Sequence, residues 1–189
     1  MINHIDLSTV LRRTVCDLYS DLVTRPTGAA VRDGIEKQLA ELGEHTLTVI
    51  DFSHVGLLDY SCADEIVAKL LIQYVVRGGA VDLPHRDAYF VFRGVNDAHL
   101  DAIETVLERH DLAIVAQTDD GATMVVGNLA EPERQAWEMM FRLGRAVADD
   151  FRREAGIALD EAERTLDALC RRRLAMRLDD GYVAVGATA

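Results

Sequence analysis

Cysteine, proline and tryptophan are all scarce here: three, three and one among 189 residues. Cys16, Cys62 and Cys170 form an odd, widely spaced set with no CxxC pair. That excludes a disulfide framework and a zinc ribbon, and leaves free thiols as in a reducing cytoplasm. No apolar stretch reaches the roughly 18–20 residues of a membrane span, and no apolar leader follows Met1. A cytoplasmic protein without a membrane partner is therefore expected. His4, His45, His54, His85, His99 and His110 are scattered, none at metal-ligand spacing from a Cys, His or Glu, so no metal site is expected. Neither GxxxxGK[ST] nor GxGxxG occurs, and no cofactor is expected. Cations are also few. Twenty Lys and Arg face 32 Asp and Glu, a net charge of −12, which disfavours non-specific attraction to nucleic acid or anionic lipid. The imbalance is local: residues 1–130 hold 10 basic against 20 acidic groups, residues 131–189 hold 10 against 12.

Hydrophobic residues make up 49% of the chain, enough for a packed core. Residues 7–22 place Leu7, Leu11, Val15, Leu18 and Leu22 at helical intervals, although Thr9, Val10, Thr14 and Val15 also suit a strand. The breaker cluster 24–28 precedes a helix with Val31, Ile35, Leu39 and Leu42, ending at Gly43. Leu47, Val49, Ile50 and Phe52 read as a buried strand. A helix opening on Ser61 follows, with Ala63, Ile66, Val67, Leu70, Leu71 and Tyr74 on one face and an end at Arg77-Gly78-Gly79. Ala88–Phe92 is a third strand, ended by Arg93-Gly94. Asn96 or Asp97 caps the next helix, and 112–115 and 123–126 flank a turn at Asp119-Asp120-Gly121. This alternation predicts an α/β fold with a mixed sheet over residues 1–128.

The pattern of an apolar strand, Asp51-Phe52-Ser53, Leu57-Leu58, then Asp59-Tyr60-Ser61 before a helix resembles the STAS domain of anti-sigma factor antagonists. The match is motif-specific across 49–71 and follows the order of elements across 45–127. The resemblance implies that Ser61 is the serine phosphorylated by a partner kinase, and that the phosphate breaks a protein–protein complex. ATP would then belong to the kinase. The family usually has Gly after this serine, where the present chain has Cys62.

From Pro132 the pattern is helical, with Trp137, Met140, Phe141, Val147, Ala148 and Phe151 on one face and Gly144 as a break. After a turn at 155–157, Asp160 starts a helix with Ala162, Leu166 and Leu169 inward. Two short strands, 174–178 and 182–185, then flank Asp179-Asp180-Gly181. This order is similar to a winged helix-turn-helix, so residues 129–189 are expected to form a small winged-helix domain beside the STAS-like mixed sheet. Its core positions speak to fold more than to DNA contact.

The candidate residues divide accordingly. Ser61 is a phosphorylation candidate or simply a helix N-cap, with Asp64 in a capping-box position. Asp59, Ser61, Cys62, Asp64 and Glu65 are expected to form an acidic partner-binding face, with Cys62 an inert, partly buried thiol. Arg164, Arg171, Arg172, Arg173 and Arg177 are possible DNA contacts. The expected pairs Asp160–Arg164 and Asp167–Arg171 would, however, neutralise part of that charge. Arg25 with Gly28 suggests a small anion site, and Asp51, Asp59 and Asp64 an acidic edge without a nucleophile. The expected function is therefore a non-enzymatic regulator that switches protein partners. The alternatives are a DNA-binding transcriptional regulator with an α/β sensor, and a nucleotide-binding protein or enzyme. Oligomeric state is open.

Overall fold

A computed structural model describes residues 2–16, 20–42, 46–75 and 88–187. Five strands form one mixed sheet in the order β1 (Ile2–Asp6), β2 (Thr46–Asp51), β3 (Ala88–Val95), β4 (Ala113–Thr118), β5 (Thr123–Gly127). The first four are parallel; β5 returns antiparallel to β4 as the predicted hairpin. The α/β class and the mixed sheet are as the sequence predicted.

Strands added always on the same side, through right-handed crossovers, place every crossover helix on one face of the sheet. That face is covered by α1 (Leu7–Thr14), α2 (Arg25–Ala40), a helical rod over 60–74, and α5 (Asp97–Arg109). The rod comprises α3 (Tyr60–Ala63), a π turn (Asp64–Ala68) and α4 (Lys69–Tyr74). Ile5, Ile50, Phe90, Phe92, Ile114 and Val126 point into this core. In the π turn Lys69 N–H reaches back to Asp64 O, and Glu65 through Ala68 are all buried. Consecutive burial is possible because the turn packs on α2 on one side and α5 on the other.

Strand alternation then leaves Leu47, Val49, Tyr89, Val91, Ala113, Val115 and Val125 on the opposite face. An apolar face of that extent needs cover, and the C-terminal segment supplies it. α6 (Glu131–Leu143), α7 (Ala148–Ala155), α8 (Leu159–Arg171) and the hairpin β6 (Ala175–Leu178)–β7 (Gly181–Ala184) bring Trp137, Met140, Leu174 and Val185 into one core with those strands. Ala146 extends the hairpin by a bridge to Tyr182. Gly144 and Gly156, both at positive φ, end α6 and α7.

Several expectations need correction. Residues 2–6 form a strand that the sequence reading passed over, and Asp6 starts α1 by accepting Ser8 N–H at 2.9 Å. The helix expected over 7–22 stops at Thr14, and Leu22 is instead bridged to Leu58. Leu18 and the helix ends expected at Gly43 and 77–79 lie outside the described residues. Val147, expected inward, is exposed. No described helix is long and apolar enough to cross a membrane.

Candidate functional site

The loop between β2 and α3 is built from short anchors. Asp51 accepts Ser53 N–H at 2.9 Å and pairs with Arg93, its register partner on β3, at 2.5 Å. Gly94, at φ +67, lies so close to Ser53 that a Cβ would sit 2.1 Å from its Oγ. His99 is buried at the start of α5, where its Nδ1 accepts Asn96 N–H and its Nε2 donates to Gly56 O at 3.2 Å. Burial disfavours the imidazolium and holds the His99 pKa below its ordinary value, although the Gly56 and Val55 carbonyls oppose this. Leu22 N–H donates to Leu57 O at 2.7 Å and Asp59 N–H to Leu22 O at 2.9 Å, which ties the loop to the segment before α2.

Asp59, and not Ser61, caps the helix. Its backbone is extended and its Oδ1 accepts Cys62 N–H at 2.9 Å. The same oxygen accepts the Ser61 hydroxyl at 2.8 Å. Aspartate is the better acceptor because its charge adds to the favourable interaction with the helix dipole. Ser61 is therefore the second residue of the helix, within its first turn and half-buried, and Asp64 takes no part in a capping box. Ser61 lines a cavity of about 380 Å³ together with Arg25, Tyr60, Asp64, Thr105, Val106 and Arg109.

The expected acidic face is mostly consumed internally. Glu65 is buried and holds Arg25 at 2.8 Å, Arg32 at 2.5 Å, and Lys69 one turn later. Asp64 bridges Arg25 at 2.7 Å and His110 at 2.8 Å. Burial alone would raise both carboxyl pKa values; the Lys69 and Arg25 bonds to Glu65, and the Arg25 and His110 bonds to Asp64, outweigh it and lower both. Cys62 is wholly buried, its thiol donates to Thr24 O at 3.0 Å, and burial with nearby Asp59 pushes its pKa up to about 11. Cys62 and Glu65 are thus interior groups, and only Asp59, Ser61 and Asp64 reach the mouth of the site. The exposed side chains at the cleft are mixed: Tyr60 at 52% stands with the charged Arg25 and Arg109, and Leu57 at 58% lies on the loop just before Asp59.

The Arg25–Gly28 anion site is corrected as well. The Arg25 guanidinium is taken by Asp64 and Glu65, and a Cβ on Gly28 would lie 2.9 Å from Cys62 Cα. Gly28 permits close helix approach and does not form a phosphate loop. Asp51, Asp59 and Asp64 each serve a different partner. Among the described residues, no three His, Cys, Asp or Glu are grouped to hold a metal ion.

The C-terminal arginines do not form a row. Arg172 donates to Asn128 O at 3.2 Å and faces Glu133 and Asp111. Arg173 donates to Tyr74 O at 3.1 Å and lies over the Tyr89 ring. These contacts draw both partly buried side chains back onto the molecule. Arg164 pairs with Asp160 as expected, but Asp167 binds Arg177 and the Tyr182 hydroxyl instead of Arg171, leaving Arg171 exposed.

The sequence reading assigned no site role to His99 or Arg109, and marked Leu57 and Tyr60 only as positions of the strand–turn–helix motif. Only His99 left a signal, three residues after the Asn96 cap. No protein-family model, curated protein or solved structure matches this chain.

Proposed function

We propose that the chain is a non-enzymatic regulator that exchanges protein partners according to the state of Ser61. The Asp59-Tyr60-Ser61 motif resembles that of STAS-type anti-sigma factor antagonists, and the C-terminal elements follow the order of a winged helix. In this reading the winged helix covers the sheet, and the loop–helix mouth carries the regulation.

The observation that supports the reading is the hydroxyl itself. Ser61 Oγ–H is already directed at Asp59, at 2.8 Å, within a cleft open between α3 and α5. A partner kinase transfers the γ-phosphoryl group of its ATP to Ser61 Oγ. An O–P bond forms, ADP leaves, and the hydroxyl proton passes toward Asp59. The product carries about −1.5 to −2 charge and no longer has a proton to donate. It repels Asp59, weakening the cap on Cys62 N–H, while Arg25 and Arg109 border the same cleft. A partner seated on Leu57 and Tyr60 then meets a charged, altered surface and leaves.

A Ser61→Asp variant is expected to lose the partner and Ser61→Ala to bind it constitutively, in pull-downs from the host. Equal recovery by both variants would reject the switch. A fully buried Ser61, shielded from kinase in the native protein, would do so too.

A further inference from the structure

The solvent face of α5 carries four carboxylates in one line: Asp97, Asp101, Glu104 and Glu108. Spacings of four, three and four put them along one stripe, about 16 Å long at 1.5 Å per residue. None has an ion pair among the described residues. The helices of the C-terminal layer behave differently: Asp149 and Asp150 hold Arg152 and Arg153, and Asp160 holds Arg164. Like charges one turn apart destabilise a helix, and Glu108 also opposes the dipole at the C-terminal end. Among the described residues no cation offsets this repulsion along α5; only Asp97 gains from the N-terminal dipole, and only Asp101 gains a side-chain hydrogen bond.

The stripe borders the switch directly. Tyr60 Oη donates to Asp101 at 2.6 Å, and Thr105 and Arg109 line the Ser61 cleft. The Tyr60 side chain is exposed beside Asp101, and the exposed Leu57 directly follows Gly56, whose carbonyl accepts from His99 of α5. Apolar anchors next to a row of carboxylates that hold no ion pair among the described residues describe a docking surface with a charge-complementary partner. Resting on the proposed partner exchange, we infer that the partner is a protein presenting a Lys/Arg-rich segment to α5 and an apolar socket to Leu57 and Tyr60. Nucleic acid and anionic membrane are repelled by the same stripe. A second copy in a two-fold contact would bring these carboxylates against each other.

Photoreactive benzoylphenylalanine placed singly at Leu57, Glu104 and, as a control on α8, Glu163 tests this in full-length protein within the host cell. One and the same protein is expected to crosslink from positions 57 and 104 but not from 163, and the peptide joined at 104 should carry Lys or Arg. Yield from position 57 should fall at least tenfold when Glu104→Lys and Glu108→Lys are introduced together. Absent crosslinks, different proteins at the two positions, equal yield at 163, a peptide without cations, or indifference to charge reversal would each overturn the inference. Repeating the position-57 experiment with Ser61→Asp separates the two ideas. Loss there supports both, whereas unchanged yield leaves the docking surface standing and removes the serine switch.

Discussion

Replacing Glu65 by Gln removes one charge from the most connected carboxylate of the site while keeping its shape. Arg25, Arg32 and Lys69 lose their common counter-ion. Breaking a buried ion pair from one side costs about 3–5 kcal/mol. Here the cations are 52%, 20% and 43% exposed, so Arg25 and Lys69 regain water and Arg32 does so least. The expected loss is about 2–3 kcal/mol, below that range because of this rehydration. For a chain of this size it corresponds to a fall in Tm of roughly 5–10 °C. Urea unfolding followed by far-UV circular dichroism measures it, with an unchanged m-value as the sign that only stability moved. The pH dependence adds a second constraint. The Glu65 pKa is lowered from 4.5 on folding, so the unfolded chain binds its proton first as pH falls. The stabilisation is therefore complete above about pH 5 and is lost as pH drops through the folded value. Wild type and variant should converge in acid. A loss under about 1 kcal/mol at pH 7, or a difference that persists unchanged to pH 3, would refute the network's role.

Gly94→Ala meets both a positive φ and the Ser53 hydroxyl, and should cost about 1–3 kcal/mol in urea unfolding; a neutral result would contradict the loop geometry. In native protein at pH 8, alkylation followed by mass spectrometry should label Cys16 well before Cys62 and Cys170, whose thiols burial raises to about 11; rapid modification of Cys62 would show that α2 and α3 part readily. Because the buried His99 has its pKa lowered from 6.5, the unfolded chain takes up the extra proton first, and stability should decline as pH falls below 6.5. A His99→Gln variant should flatten that decline, and an unchanged urea midpoint profile would remove His99 as the cause. Trp137→Ala should cost about 3–5 kcal/mol, since the ring is buried and stacked on Phe141 with centroids 5.0 Å apart.

The strand–turn–helix over 47–71 was legible because its periodicity changes where the Asp-x-Ser turn begins. The five-residue edge strand β1 was not: Ile2 and His4 lie exposed at its rim, so no buried alternation marks it. Ser61 looked like the cap because serine and aspartate are both good caps, and only backbone geometry decides between residues two apart. Glu65 read as a surface acid because its three cations come from α2 and from the following turn, two of them more than thirty positions away. Arg172 and Arg173 looked like a basic corner for a related reason. Their partners, Asn128 O and Tyr74 O, lie 44 and 99 residues upstream. Distant pairing leaves no local trace in composition or spacing.

The apolar rear of the sheet means that the junction between Gly127 and Glu131 is not a hinge. Severing the chain there would strip the lining from Val91 and Val115, and a fragment ending at that point should self-associate through the bared strands. In the proposed reading, a modification at Ser61 would act by reshaping one surface, because the C-terminal layer shares a core with the sheet.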